Sequence, residues 1–194
     1  MIHFILGGAR SGKSRYAEQQ TLLQAGSTKQ PVYLATATAI DKEMQSRIVK
    51  HQSDRSSKWQ LIECPINLVA CLENTSTDNI YLLDCLTLWL NNLLFLGEEE
   101  QQVKTLEPST LEQKLKTEIA LLITVLSKHF TDKDHNIVIV SNEIGLGVIP
   151  MGATTRLYVD YCGWLNQAVA SISQRVTLVT AGIPLTLKPQ AAQT

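Results

Sequence analysis

The chain has 194 residues, 44% of them hydrophobic and 18% charged, with a formal net charge of -1 at pH 7. This near-neutral balance argues against a nucleic-acid binder, which would carry clustered or excess Lys and Arg. No apolar stretch reaches the length of a membrane span or reads as a secretory leader, so one cytoplasmic domain over residues 1–194 is expected.

Ile2 to Leu6 is a short apolar run suited to a buried strand, and Lys13 to about Leu23 reads as a helix. Between them Gly7-Gly8-Ala9-Arg10-Ser11-Gly12-Lys13-Ser14 satisfies G-x-x-x-x-G-K-[ST] in its required strand-to-helix context. Gly7, Gly8 and Gly12 are expected to take left-handed conformations and turn backbone N–H groups onto polyphosphate oxygens, where the helix N-terminus adds positive partial charge. Lys13 would reach the outer phosphates and Ser14 would ligate Mg2+. Nucleotide phosphates are the expected ligand.

Val32 to Thr36 is the second predicted strand, followed by a helix from Asp41 to about Gln52 and a third strand from Trp59 to Glu63. Ile80 to Asp84 is the fourth strand and Leu86 to Leu96 a helix. Gly97 to Pro108 is polar and reads as a solvated loop. Thr110 to Phe130 is a long helix, with Ser109 and Glu112 placed as a capping box. Ile137 to Ser141 and Val176 to Thr180 are further strands, and Leu185 to Lys188 adds an edge strand. The alternation predicts an α/β domain around a mostly parallel sheet flanked by helices. Such sheets bind ligands at the carboxyl ends of their strands. The residues there are the glycine loop, Ala35-Thr36-Ala37, Glu63, Asp84 and Asn142-Glu143.

Two of these positions carry more than one reading. Asp84 ends its strand as the acidic partner of a phosphate loop does, holding Mg2+ or its water; it could equally cap the next helix. Arg47, His51 and Arg55 fall at i, i+4, i+8 on the predicted Asp41 helix. Flanking arginines would hold His51 neutral and nucleophilic and could bind phosphate, or the three could be a solvated basic face. His3, His129 and His135 read as structural. Cys64, Cys71, Cys85 and Cys162 form no C-x-x-C pair and no zinc spacing, and read as reduced and mostly buried.

The chain also resembles a known family. Besides the phosphate loop, the matching residues are Tyr33-Leu34-Ala35-Thr36, Asp41 to Met44, Arg47-Ile48 leading to His51, Trp59 with Glu63, and Asn91 to Leu94. They continue with Ser141 to Gly145, Gly147 to Pro150, Arg156, Asp160, Gly163 and Asn166-Gln167. In order and over nearly the whole chain, these resemble the bifunctional adenosylcobinamide kinase/adenosylcobinamide-phosphate guanylyltransferases of cobalamin biosynthesis.

The resemblance implies a RecA-like P-loop NTPase fold, a homotrimer, and two reactions on one nucleotide site. In the first, ATP or GTP gives its terminal phosphoryl group to the aminopropanol hydroxyl of adenosylcobinamide. In the second, a histidine, His51 by position, attacks the α-phosphorus of GTP and passes GMP to adenosylcobinamide phosphate. Guanine-nucleotide contacts carried over fall on Gly7, Gly8, Ala9, Arg10, Ser11, Gly12, Lys13 and Ser14, on Ala35, Thr36 and Ala37, on Gln52, Ser53, Asp54 and Arg55, and on Glu63 and Asp84. The chain departs from the usual pattern at Ala37 (commonly serine), Lys50 (often a second histidine), Ser56 (often proline) and Asp84 (usually glutamate). A guanylyltransferase alone, a single-activity P-loop kinase and a non-catalytic nucleotide switch are the competing readings.

Overall fold

The computed structural model describes residues 1–38, 58–95, 108–130 and 134–189. The helix expected from Asp41 to Gln52, with His51, and most of the polar stretch after Gly97 lie outside these residues. Apolar, β-branched runs form the strands β1 (Ile2–Gly7), β2 (Gln30–Ala35), β3 (Gln60–Glu63), β4 (Asn79–Asp84), β5 (Asn136–Asn142), β6 (Arg175–Thr180) and β7 (Ile183–Lys188). They make one sheet in the order β3-β2-β4-β5-β1-β6-β7. Every neighbouring pair is parallel except β6 and β7, which are antiparallel. The expected α/β architecture with a mostly parallel sheet is therefore present.

The helices among the described residues are α1 (Lys13–Ala25), α2 (Leu68–Glu73), α3 (Leu86–Phe95), α4 (Pro108–His129) and α5 (Ala153–Ile172). Two of them, α2 and α5, are absent from the sequence reading. In α5 the buried Tyr161, Leu165 and Val169 recur every four residues, a helical stripe beside polar positions that dilute it. With six residues and two buried leucines, Leu68 and Leu72, α2 is too short to show a period. The capping box expected at Ser109 is displaced, because α4 already includes Pro108. Proline fits the first turn, where its missing N–H has no intrahelical partner to lose.

Alternation along each central strand divides the core between two faces. Ile5, Tyr33, Leu82, Val138 and Val140 pack with Ala17 of α1. Phe4, Leu34, Leu83, Ile137 and Ile139 pack against α2 to α5, with Trp89, Leu90, Leu115, Leu126 and Leu165. Both faces are covered, so β1 is buried at all six positions. On α1 the buried residues Lys13, Ala17, Thr21 and Ala25 are spaced by four, and the small side chains let the helix lie close to the sheet.

The edge strand starts at Ile183, two residues earlier than its apolar pattern suggests. Ala181 (φ 51°) and Gly182 (φ 78°) form the β6–β7 connection, and successive left-handed residues suit a two-residue hairpin. All six positions of β7 are exposed.

Candidate active site

The phosphate loop leaves the carboxyl end of β1 and enters α1 as its sequence requires. Gly12 is left-handed (φ 92°), but Gly7 and Gly8 are not, and the other left-handed residue of the loop is Arg10 (φ 56°). The expectation of three left-handed glycines is thus corrected to one. Gly7 is needed for space instead. A Cβ there would overlap Ser11 Oγ and come within 2.5 Å of the Val179 carbonyl oxygen, whereas one on Gly8 would meet nothing within 4 Å.

The loop is closed from within and braced from outside. Ser11 N donates to Gly8 O (3.3 Å) and Tyr16 N to Gly12 O (3.0 Å). The brace comes from the β6–β7 turn, where Gly182 N donates to Ser11 O at 2.8 Å. A Cβ on Gly12 would sit 3.3 Å from Gly182 Cα, so the two glycines permit this approach. Lys13 is buried, with Nζ donating to Gly8 O at 3.0 Å. This contact holds the ammonium against the loop that would receive the phosphates.

The neighbouring strand ends are level with one another. Ala35 pairs with Glu63 on one side and Asp84 on the other. Asp84 Oδ2 accepts from Tyr33 Oη at 2.9 Å. Thr36 is fully buried: its hydroxyl donates to Cys85 O and accepts from Cys85 N, both at 2.8 Å. Its carbonyl accepts from Asn92 Nδ2 at 2.7 Å. Thr36 therefore ties β2 to β4 through its side chain, and Ala37 follows it half-buried. Ser14 is half-buried at the start of α1. Gln52, Ser53, Asp54 and Arg55 lie outside the described residues, as does His51.

A second polar group lies at the end of β5, between the loop and Asp84 in the sheet. Asn142 pairs with Gly7 in register, and Glu143 N donates to Gly7 O at 3.1 Å. Asn142 Nδ2 donates to Thr87 Oγ1 (2.6 Å), and Asn142 O accepts from Asn166 Nδ2 (3.2 Å). Tyr158 Oη donates to Thr87 O (2.9 Å). Thr87 and Tyr158 carried no sequence signal, since a threonine in an apolar helix and a tyrosine on a mixed one are ordinary.

The cysteines and the other histidines supply no competing nucleophile here. All four cysteines are free, and all but the half-buried Cys71 are buried. Burial, with the Asp84 carboxylate adding to it, pushes the Cys85 thiol up to about 11, so it stays protonated at pH 7. Burial likewise raises Cys162 to about 12. His3 lies inside β1 against Thr177, and His135 packs on Phe130 just before β5, away from the carboxyl ends.

Among the described residues no three His, Cys, Asp or Glu side chains gather as a metal site. A Mg2+ that travels with nucleotide phosphates needs fewer protein ligands, because phosphate oxygens and waters complete its shell. The hard oxygen donors of Ser14 and Asp84 fit that requirement.

The family model described as cobinamide kinase / cobinamide phosphate guanyltransferase matches residues 3–187. The chain is 42% identical to the bifunctional adenosylcobalamin biosynthesis protein CobP of Pseudomonas aeruginosa, over 97% of this chain and 98% of that one. It is 33% identical to the bifunctional adenosylcobalamin biosynthesis protein CobU of Salmonella typhimurium, over 97% of this chain and all of the relative. Among solved structures, a KaiC-like protein from Pyrococcus horikoshii aligns with a TM-score of 0.44 at 10% identity, covering 91% of this chain and 69% of that one.

Proposed function

The chain belongs to the cobinamide kinase / cobinamide phosphate guanyltransferase family, and from that membership we propose how its two reactions share one nucleotide site. It is an adenosylcobinamide kinase and adenosylcobinamide-phosphate guanylyltransferase of cobalamin biosynthesis. The observation that carries the shared site is the complete phosphate loop, with buried Lys13 held on Gly8 O beneath it. In the kinase reaction ATP or GTP lies along residues Gly7 to Ser14, and Lys13 leaves Gly8 O to neutralise charge on the outer phosphates. Mg2+, held through Ser14 and Asp84, supplies further charge neutralisation at the phosphates. Tyr33 fixes the Asp84 carboxylate for that purpose.

In the second reaction His51 attacks the α-phosphorus of GTP, pyrophosphate leaves, and the phosphate of adenosylcobinamide phosphate takes GMP from the histidine. The covalent route divides one displacement into two. Ala35 to Ala37, Gln52 to Arg55 and Glu63 are the remaining nucleotide contacts of this reading. Incubation with α-labelled GTP tests it: wild type retains acid-labile, alkali-stable GMP, and His51→Ala retains none. An unlabelled wild type under turnover conditions would sink the covalent step.

We read the whole chain as one such domain in a cytoplasmic homotrimer. Exposed Ile183, Leu185 and Leu187 on β7 support self-association, because one strand face presents three apolar side chains to solvent. Among the described residues no helix is long and apolar enough to cross a membrane.

A further inference from the structure

The kinase half of this function needs a group to take the proton of the attacking hydroxyl, and we propose that Glu143 is that group. The inference rests on the kinase reading above. In the sheet β5 lies between β1, which carries the phosphate loop, and β4, which carries Asp84. Its carboxyl end is thus the strand end between the nucleotide phosphates and the acid assigned to Mg2+. Glu143 is the first residue past that end, and its N–H is bonded to Gly7 O of the loop itself.

The side chain is held without being used up. Oε1 accepts from Gly145 N at 2.9 Å, which orients the carboxylate, while the other oxygen has no partner among the described residues. Asn142 immediately before it is fastened through Thr87 and Asn166, so the backbone beneath Glu143 is fixed from α3 and α5. The other acids at strand ends have different surroundings. Asp84 is bonded to Tyr33, and Glu63 ends β3, four strands from β1 in the sheet order.

In the step itself, the hydroxyl proton passes to the free carboxylate oxygen of Glu143. The oxygen's electron pair forms the new bond to the γ-phosphorus. The bond from that phosphorus to the bridging oxygen breaks, and its pair stays with the departing nucleoside diphosphate. Glu143 then returns the proton to water. The guanylyl acceptor is a phosphate that already carries negative charge, so the second reaction needs no such base. This asymmetry separates the role from a structural one.

The experiment uses the full chain and measures both reactions: phosphoryl transfer from labelled ATP to adenosylcobinamide, and guanylyl transfer from GTP to preformed adenosylcobinamide phosphate. Glu143→Gln keeps an acceptor for Gly145 N but cannot take a proton. Its kinase kcat is expected to fall by about 10²–10⁴-fold with KM for ATP within roughly twofold, as loss of a general base predicts. Guanylyl transfer should stay within about threefold of wild type, as befits an acceptor that needs no deprotonation. Glu143→Asp, which keeps a carboxylate, should recover part of the kinase rate. Kinase activity of Glu143→Gln within tenfold of wild type overturns the assignment, as does an equal fall in both reactions. A wild-type protein that fails to phosphorylate adenosylcobinamide overturns the kinase reading, and this inference with it.

Discussion

Strands β1 and β7 are both six residues long and share one sheet, yet one is buried at every position and the other exposed at every position. Their apolar content differs less than their surroundings do. Neighbours on both edges and helices on both faces enclose β1, so its carboxyl end can hold a loop of defined shape. Among the described residues β7 pairs in the sheet with β6 alone, and its Ile183, Leu185 and Leu187 face water. Position in the sheet sets which strand becomes buried scaffold and which remains an exposed edge.

The largest expected effect that would break this contrast is on stability. Phe4→Ala in β1 should cost about 3–5 kcal/mol in urea unfolding, the usual penalty for emptying a core aromatic site. Leu185→Lys in β7, compared at a concentration where any assembly is dissociated, should stay within about 0.5 kcal/mol of wild type. The same Leu185→Lys should shift the sedimenting species toward monomer. Equal losses at the two sites would show that β7 is as deeply packed as β1.

A finer comparison lies within the loop itself. Gly7→Ala forces a methyl against Ser11 and Val179 O and is expected to lose about 1–3 kcal/mol, with nucleotide affinity falling alongside. Gly8→Ala has open space and should unfold within about 0.5 kcal/mol of wild type. A melting temperature that drops equally for both would mean that conformation, not space, governs Gly7.

The smallest effect concerns the buried His3 of β1. Burial, helped by the nearby Arg175 charge, lowers it from 6.5 to about 3, so the folded chain keeps it neutral while the unfolded chain takes up a proton below 6.5. Stability from this residue is complete above that value and declines as pH falls toward 3. Between about pH 7.5 and 5.5 the unfolding free energy should drop by roughly 1.4 kcal/mol more in wild type than in His3→Gln. Parallel pH profiles for the two proteins would show that His3 titrates normally.

Much of this was legible because it is local. The phosphate loop is eight consecutive residues with a strand before and a helix after, and the buried strands are apolar runs. What escaped the sequence is long-range or depends on a partner. Nothing in Thr36 announces that its hydroxyl closes on the Cys85 backbone, and nothing in Thr87 announces Asn142. The pattern G-x-x-x-x-G-K-[ST] treats its first and last glycines alike. Only packing separates a glycine required by Val179 O from one required by its own backbone angle. The Asn142-Glu143 pair was visible at a strand end, but its attachment to Gly7 O follows from the strand order.

The hydrogen bond from Gly182 N to Ser11 O joins the beginning of the fold to a turn near its far end. During synthesis the phosphate loop emerges early, and the residue that braces it follows roughly ten to thirty seconds later at ~5–20 residues per second. A nascent chain therefore carries the recognisable loop long before the loop can be held in its working shape. Ribosome-bound chains that stop short of Gly182 lack this brace, and they are expected to hold nucleotide more weakly than the full chain.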